Sequence, residues 1–262
     1  IDETHCHPSF RLNKLNRHNP ESAQMMQIAS AGELPVSSDF ELIGKWLPVD
    51  DARLLELGCG AAFTTRRLAE AFAVREIVAM EVDRIQHEKN LLIPDLPQVT
   101  FVFGGAQAID LPDGSVDAVI MLKSLHHVPV RDLDRAFSEI ARVLRRGGFA
   151  YISEPVYAGA FNEILRLFND EQSVREEAFE AIARTVASGN LELEREIHFL
   201  STSRFAGFEE FEQRIIGATH SEFDIDDTLY AEIKARFLPH LDQEGMAEFL
   251  NPMRVDLLRK PD

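Results

Sequence analysis

Short apolar runs alternate with amphipathic stretches between residues 52 and 155. Five of these runs are short enough to be buried strands: Leu54–Leu57, Ile77–Met80, Val99–Phe103, Val116–Leu122 and Phe149–Ile152. From Leu133 to Leu144 the apolar residues instead recur at helical spacing, which predicts a helix that carries Arg142, Arg145 and Arg146 in its last turn and ends at Gly147. Alternating strands and helices predict right-handed crossovers and a mainly parallel sheet.

The flanking regions have a different pattern. A helix candidate covers Glu21–Ala31, and a second helix is expected to begin at Ser37 or Ser38 and to end before Pro48. Beyond Pro155 the pattern predicts, in order, a helical stretch Phe161–Ala187, a strand Leu191–Phe199, helices over Phe205–Ile215 and Leu229–Leu238, and a last strand Met253–Leu258.

These elements predict an α/β protein with a Rossmann-like, doubly wound, seven-stranded and mostly parallel sheet. Its expected parts are an N-terminal helical cap (1–47), a core (48–157), a helical lid and substrate region containing one strand (158–250), and the last strand that completes the sheet (251–262).

The composition narrows the classes of partner. Twenty-seven basic against 44 acidic residues give a net charge of -17, which disfavours binding to nucleic acid and to anionic membranes. Cys6 and Cys59 are too few for a disulfide framework. No apolar run is long enough to span a bilayer, and the first ten residues lack the pattern of a signal peptide. We therefore expect a cytoplasmic protein.

A glycine turn follows the first predicted strand and is the strongest local signal. Gly58-Cys59-Gly60 permits a sharp turn with no Cβ in the way of a ligand, and the helix behind it offers free N–H groups. A dinucleotide fingerprint requires a third glycine, where this chain has the bulky Phe63. Glu56, two residues before the turn, favours a cationic ligand such as S-adenosylmethionine over a pyrophosphate.

A second acid, Glu81, lies at the end of the second strand, 21 residues beyond Gly60. A carboxylate at this place can accept both hydroxyls of a ribose. The alternative is that Glu56 and Glu81 are ordinary solvated charges near strand ends.

The series of motifs resembles the class I S-adenosylmethionine-dependent methyltransferases, in particular the small-molecule branch that includes the ubiquinone and menaquinone C-methyltransferases. The resemblance covers roughly Leu54 to Pro155. It rests on Glu56-Leu57-Gly58-Cys59-Gly60, Glu81-Val82-Asp83, Leu111-Pro112-Asp113-Gly114-Ser115-Val116-Asp117, Leu125-His126-His127-Val128 and Val143-Leu144-Arg145-Arg146-Gly147-Gly148-Phe149.

The resemblance implies a role for each residue near the cofactor. The turn Gly58-Cys59-Gly60 would pass its amino-acid part, with Glu56 at the ammonium, Glu81 at the ribose and Val82 on the adenine. Two positions depart from the family pattern: Ala62 replaces a frequent glycine, and Gly104-Gly105-Ala106-Gln107 lacks the acid that often binds the adenine amine. Gln107 or a backbone carbonyl is expected to replace that acid.

The acceptor is expected above the fourth and fifth strands, because parallel sheets bind ligands beyond their carboxyl ends. His126, His127, Glu154 and Tyr157 are the candidate catalytic residues there, a histidine being a reasonable general base near neutral pH. The alternative is that both histidines are structural. Lys123 is expected either to pair with Glu154 or to touch the carboxylate of the cofactor.

Several other chemistries are disfavoured by what the sequence lacks. The loop after the fourth strand has no Asn/Asp-Pro-Pro-aromatic stretch of the kind used to methylate nucleic-acid bases, and no metal site is expected. His5-Cys6-His7 is too tightly packed at a terminus to suggest one. The predicted function is methyl transfer to a small molecule, and a homodimer is left open. The rivals are a catalytically silent cofactor-binding protein and a nicotinamide-dependent oxidoreductase.

Overall fold

The computed structural model describes residues 34–217 and 223–262. The predicted helix Glu21–Ala31 and the His5-Cys6-His7 motif lie outside the described residues. Within these residues no helix combines the length and the apolar character needed to cross a membrane.

One seven-stranded sheet forms the centre of the molecule. Its strands are β1 (Arg53–Leu57), β2 (Glu76–Glu81), β3 (Val99–Phe103), β4 (Val116–Leu122), β5 (Leu144–Pro155), β6 (Glu192–Phe205) and β7 (Ala247–Arg259). Their order is β3-β2-β1-β4-β5-β7-β6. Only β7 runs against its neighbours. The predicted doubly wound, mostly parallel α/β sheet is therefore confirmed.

Eight α-helices surround the sheet in the described part of the chain. They are α1 (Asp39–Trp46), α2 (Phe63–Ala71), α3 (Arg84–Asn90), α4 (Leu133–Val143), α5 (Ala160–Leu165), α6 (Gln172–Ala187), α7 (Phe208–Phe211) and α8 (Asp227–Phe237). Side chains alternate between the two faces of a strand. One face therefore packs against α4 and α6, and the other against α1 and α2.

Helix α1 begins where the sequence indicates. Ser38 accepts a hydrogen bond from the backbone N–H of Glu41, while the Glu41 carboxylate accepts one from the N–H of Ser38. This reciprocal capping box fixes the start of the helix. The hydroxyl of buried Tyr151 donates to Asp39 at 3.0 Å, which ties the first turn of α1 to β5.

The boundary between α4 and β5 differs from its prediction. Helix α4 ends at Val143, and Leu144 already has extended backbone angles and pairs with Val116 of β4. Arg145 consequently lies in the strand, where its guanidinium binds Asp117. Leu144 fits the apolar periodicity of the helix, but it is a buried residue of the strand. Because the helix ends before it, Arg145, Arg146 and Gly147 also lie outside the helix.

The region after β5 forms a second core around a long ribbon. Strands β6 and β7 pair over 14 and 13 residues, and both extend beyond the predicted strands. Phe205 ends β6 opposite Ala247, rather than beginning a helix. The far end of the ribbon is covered by α5, α7 and α8 through a cluster of buried aromatic residues: Phe205, Phe208, Phe211, Phe237 and Phe249. Most of the phenylalanines in this region therefore serve as core.

Candidate active site

The crevice of interest lies where β1 and β4 end, because the order of the strands reverses between these two neighbours. Open α/β sheets bind ligands at this switch point, beyond the carboxyl ends of the strands. The order β2-β1-β4 places the end of β1 in the middle of the crevice. The loops after β1, β2, β3, β4 and β5 are therefore its walls.

The loop after β1 is held in a conformation that only small residues accept without strain. Gly58 and Gly60 have φ angles of 75° and 52°. A Cβ on Gly58 would lie 2.7 Å from the Cβ of Ser124, whereas a Cβ on Gly60 would meet nothing within 4 Å. Gly58 is thus required by packing against the β4 loop, and Gly60 faces open space. Ala62, where the family pattern often has glycine, also has a left-handed φ of 59°.

Glu56 is a buried acid without a cationic partner. Its side chain is 3% exposed and accepts a hydrogen bond from the Thr65 hydroxyl at 2.6 Å. Burial raises the pKa of Glu56 to about 7; the Thr65 bond acts against this rise, and repulsion by Glu81 adds to it. No Lys, Arg or His nitrogen of the described residues lies within 4 Å of its carboxylate. A cation bound beside Glu56 would supply the missing charge.

Glu81 is oriented by the backbone around it. One carboxylate oxygen accepts the N–H of Gly60 at 2.7 Å, and the other accepts the N–H groups of Val82 and Asp83, both at 2.8 Å. These bonds use three of the roughly four acceptor positions of a carboxylate. A diol that binds through both hydroxyls would therefore have to replace or share one of the backbone bonds. The arrangement links the end of β2 directly to the glycine turn.

Asn90 braces the same turn and was not expected from the sequence. Its buried amide donates to the carbonyl of Gly60 at 2.7 Å and lies 3.6 Å from the sulfur of Cys59. Cys59 is itself buried, and burial, together with repulsion by Glu56 and Glu81, raises the pKa of its thiol. Cys59 therefore offers a ligand its backbone, not a reactive sulfur.

An apolar wall continues from β2 to the loop after β3. Val82 is 59% exposed, and a Cβ on Gly105 would lie 3.1 Å from its side chain and 2.5 Å from the amide oxygen of Gln107. Gly105 thus makes room for Gln107 beside Val82. The side chain of Ala106, in contrast, is buried in the main core, so this residue can contribute only backbone to a ligand.

The ring of Phe103 packs against two side chains of α3, His87 and Arg84. It is partly exposed at the end of β3, and the guanidinium of Arg84 lies 4.4 Å from the ring centroid. Because Phe103 ends a predicted strand, the sequence already indicated an aromatic residue at this edge of the sheet.

On the other side of the crevice, His126 is held between two acids. It lies in a 3₁₀ turn (Leu125–His127) directly after β4, and its Nδ1 makes a short contact with Glu154 at the end of β5. Its Nε2 lies 3.8 Å from Glu171, just before α6. Glu154 also accepts the backbone N–H of Leu125 at 2.8 Å. His126 is thus buried and fixed in orientation, as a general base or metal ligand must be.

Glu171 is a second residue of the site, besides Asn90, that the sequence did not indicate. Its carboxylate accepts hydrogen bonds from Arg175 at 2.6 Å and from Asn169 at 2.9 Å. Burial alone would raise the pKa of Glu171, but attraction by His126 and Arg175 outweighs burial and lowers it. The residue lies in the loop before a predicted helix, 17 residues beyond Glu154, and no local pattern marks it.

The remaining predicted residues lie at the rim. His127 is exposed, and its ring centroid is 4.1 Å from that of His126. Tyr157 donates its hydroxyl to Asp170 at 2.8 Å.

Lys123 was expected at a buried strand end, but it is exposed and has a left-handed φ of 54°. Its expected pairing with Glu154 is not found, because Glu154 is taken by His126 and the Leu125 N–H.

A small cavity of about 30 Å³ lies behind Glu154, between the sheet and α6. It is lined by Glu154, Pro155, Val156, Arg175, Phe179, Ile182, His198, Arg254 and Asp256. Burial raises the pKa of Asp256, although Arg254 binds it with two nitrogens. A volume of this size accommodates about two water molecules. The cavity is therefore too small to hold an organic molecule.

Comparison with known proteins supports the assignment of the central segment. Residues 55–152 match the family model described as a methyltransferase domain. An uncharacterized methyltransferase of Mycobacterium tuberculosis is 41% identical over 108 residues, which cover 41% of this chain and 42% of the relative. The sterol 24-C-methyltransferase of Yarrowia lipolytica is 33% identical over 115 residues, covering 42% and 29% of the two chains. The matches thus span less than half of the curated relatives' length.

The fold extends further than the sequence similarity. A crystal structure of a candidate methyltransferase from Bacillus halodurans superimposes with a TM-score of 0.60 at 16% identity, covering 86% of this chain and all of the other. The chain therefore has the Rossmann-like fold of class I methyltransferases, and its residues 55–152 are similar to a methyltransferase domain.

Proposed function

We propose that this protein transfers a methyl group from S-adenosylmethionine to a small-molecule acceptor and releases S-adenosylhomocysteine. The observation that carries the proposal is the uncompensated charge of Glu56, buried beneath a glycine turn in a methyltransferase domain. A carboxylate at this place matches the ammonium of the cofactor and would repel a pyrophosphate. When bound, the cofactor supplies an electrophilic methyl group on a sulfonium.

The walls of the crevice fit the other parts of this cofactor. In the proposal, Gly58, Cys59 and Gly60 contact its amino-acid part through their backbone, and the open space above Gly60 admits it. Glu81 accepts the ribose hydroxyls by exchanging one of its backbone bonds.

The adenine lies between Val82 and the segment Gly105-Ala106-Gln107 in this proposal. Val82 supplies exposed apolar surface, and the Gln107 amide lies next to it to bind the adenine amine. Lys123 is exposed at the rim of the crevice, from where it can reach the cofactor's carboxylate.

His126, oriented by Glu154, is proposed to accept the proton that the acceptor loses. Its Nδ1 is engaged by Glu154, which leaves Nε2 for the acceptor. A fixed imidazole of this kind aligns a nucleophile and lowers the entropic cost of reaching the methyl group. His127 and Tyr157 lie beside it at the rim and are proposed to position the acceptor.

The lid region 158–250 is proposed to close over the acceptor. Helix α6 contributes to both the core and the site, because its first turn carries Arg175 and Glu171 precedes it. The acidic charge of the chain and the named relative that acts on sterols support a small molecule over nucleic acid as the acceptor. The narrower resemblance to quinone C-methyltransferases, the cytoplasmic location and a homodimer stay predictions.

Two measurements test the proposal. Isothermal titration calorimetry compares S-adenosylhomocysteine with NAD; the proposal requires binding of the former only, and tight binding of NAD alone would identify an oxidoreductase. Methyl-labelled S-adenosylmethionine is then incubated with the protein and a metabolite extract. Transfer of label to a small molecule is expected, and its loss in His126→Ala would support the role of that residue. Cofactor binding with no transfer to any acceptor would instead favour a silent binding protein.

A further inference from the structure

We propose that His126, His127 and Glu171 bind a divalent transition-metal ion, which goes beyond the methyl transfer proposed above. Each of the three side chains offers one ligand atom, and these atoms all lie within 4.8 Å of one another. Two imidazoles and one carboxylate are the ligand set of catalytic zinc sites that keep a fourth position open. We therefore take Zn²⁺ as the ion to test.

The ligand atoms need only a small movement to close around the ion. Two nitrogen or oxygen ligands on a tetrahedral zinc lie about 3.4 Å apart, given metal–ligand distances near 2.1 Å. The Nε2 of His126 and the nearer oxygen of Glu171 are already 3.8 Å apart. His127 is exposed at the rim, and one of its ring nitrogens lies within 4.8 Å of a ligand atom of each of the other two residues.

A supporting set of contacts surrounds these ligands. Glu154 engages the Nδ1 of His126, which leaves Nε2 for the ion; a carboxylate behind a ligating histidine recurs in zinc sites. Arg175 and Asn169 hold the carboxylate of Glu171. The ligands thus come from two elements, the turn after β4 and the loop before α6, and other side chains hold His126 and Glu171 in place.

The charge of the cluster also favours a cation. Glu154 and Glu171 are partly buried, and Arg175 compensates only one of their two negative charges when His126 is neutral. A divalent ion would turn this deficit into a single positive charge, which an anionic oxygen at the fourth position would neutralise. The rival source of positive charge is a proton on His126, which needs no metal.

An ion on Nε2 of His126 would replace the general base proposed above, because a ligating nitrogen cannot also accept a proton. The ion would give its fourth position to the methyl acceptor, an inference that rests on the proposed function. An oxygen or nitrogen nucleophile is the chemical class that such an ion binds, and coordination lowers the pKa of a bound hydroxyl. The acceptor class would then be a molecule with a metal-binding hydroxyl near the atom to be methylated. Metal binding itself can be measured without turnover, so the two proposals can fail separately.

The test measures Zn²⁺ binding by equilibrium dialysis and metal analysis of the full chain. All proteins carry the substitutions His5→Ser, Cys6→Ser and His7→Ser, because that motif contains competing ligands. Against this background, His127→Ala and Glu171→Gln each remove one proposed ligand. His198→Ala is the matched control, since His198 also pairs with an acid, Glu196, at 2.7 Å but belongs to no potential metal-binding cluster among the described residues.

One equivalent of Zn²⁺ is expected to bind in the background protein and in His198→Ala. Each ligand variant is expected to bind at least about 100-fold more weakly, and Glu154→Gln about 10- to 100-fold more weakly through His126. Co²⁺ in the same site should give the visible absorption of a tetrahedral complex. Circular dichroism without metal checks that each variant is folded. The proposal is overturned if the background protein binds no Zn²⁺ at 100 µM, or if both ligand variants bind it as the background protein does.

Activity separates this inference from the proposed function. If the protein binds one equivalent of zinc but transfers no methyl group, the metal site is supported and its proposed role in binding the acceptor is excluded. Full methyl transfer by a protein that has been shown to bind no metal would support the proposed function and overturn the metal site.

Discussion

Replacing Glu56 by glutamine should make the protein more stable at pH 8 while it weakens cofactor binding. The pKa of Glu56 rises from an ordinary 4.5 to about 7 because the side chain is buried. Below pH 4.5 the carboxyl group is neutral in both the folded and unfolded protein. Between pH 4.5 and 7 the unfolded chain loses this proton first, so stability falls as the pH rises. At 1.36 kcal/mol per pH unit, the full cost above pH 7 is about 3 kcal/mol.

The amide of the variant does not titrate, so its stability should lack this component of the pH dependence. We expect the difference in unfolding free energy between Glu56→Gln and the wild type to grow by about 2 to 3 kcal/mol from pH 5 to pH 8, in favour of the variant. Comparing the two pH values cancels any constant effect of the substitution, including an altered bond to Thr65. Urea unfolding followed by circular dichroism at several pH values provides the measurement.

A matched control is Glu139→Gln. The pKa of Glu139 is lowered to about 2, chiefly by hydrogen bonds from Arg142. The contribution of Glu139 to the free energy of unfolding is therefore present above pH 4.5 and is lost only as the pH falls toward 2. This variant should be less stable than the wild type by the same amount at pH 5 and at pH 8. Parallel stability profiles for Glu56→Gln and the wild type over this range would refute the reasoning about Glu56.

Binding provides the second half of this prediction. The ionised fraction of a group with a pKa of about 7 rises about tenfold between pH 6 and pH 8, and only the ionised form attracts an ammonium. The affinity of the wild type for S-adenosylhomocysteine should therefore rise about tenfold over this range. Glu56→Gln should bind more weakly, with no such rise.

Three further predictions concern the cofactor, the backbone and the core. Glu81→Ala should weaken cofactor binding by about 2 to 4 kcal/mol, through lost charge-assisted bonds to the ribose and a released Gly60 turn; calorimetric affinity within twofold of the wild type would exclude that role. Lys123→Gly should stabilise the fold by about 1 kcal/mol by relieving the left-handed φ of 54°, and a lower melting temperature would contradict this. Phe137→Ala should cost about 3 to 5 kcal/mol, whereas Leu92→Ala, at an 81% exposed residue, should cost under about 0.5 kcal/mol in urea unfolding.

The sheet could be predicted well because buried parallel strands are short, apolar and separated by amphipathic helices. The bounds of β3 and β4 agree with the apolar runs, and the end of β1 falls at the expected Gly58. Leu144 was assigned to the wrong element because helical periodicity and strand burial both call for a leucine there. The sequence alone does not contain the pairing with Val116 that decides between them.

The site was less predictable on the acceptor side than on the cofactor side. Residues near the cofactor follow one another closely after β1 and β2, so their order in the sequence places them together. Glu171 contacts His126 from 45 residues further along the chain, and Asn90 contacts Gly60 from 30 residues further along. Tertiary packing brings these pairs together, and no local sequence pattern indicates the contacts. For Lys123 the sequence instead suggested a contact that the structure lacks. A lysine at the end of a buried strand suggested an ion pair, but its left-handed backbone places the side chain in solvent.

The central claim is that the ends of β1 and β2 hold a positively charged nucleoside through two acids. A crystal structure of the protein soaked with S-adenosylhomocysteine tests it most directly. We expect the ligand above Gly60, with its ammonium at Glu56 and its ribose hydroxyls at Glu81. A crevice left empty at saturating ligand, or a ligand bound elsewhere with both acids uninvolved, would contradict it.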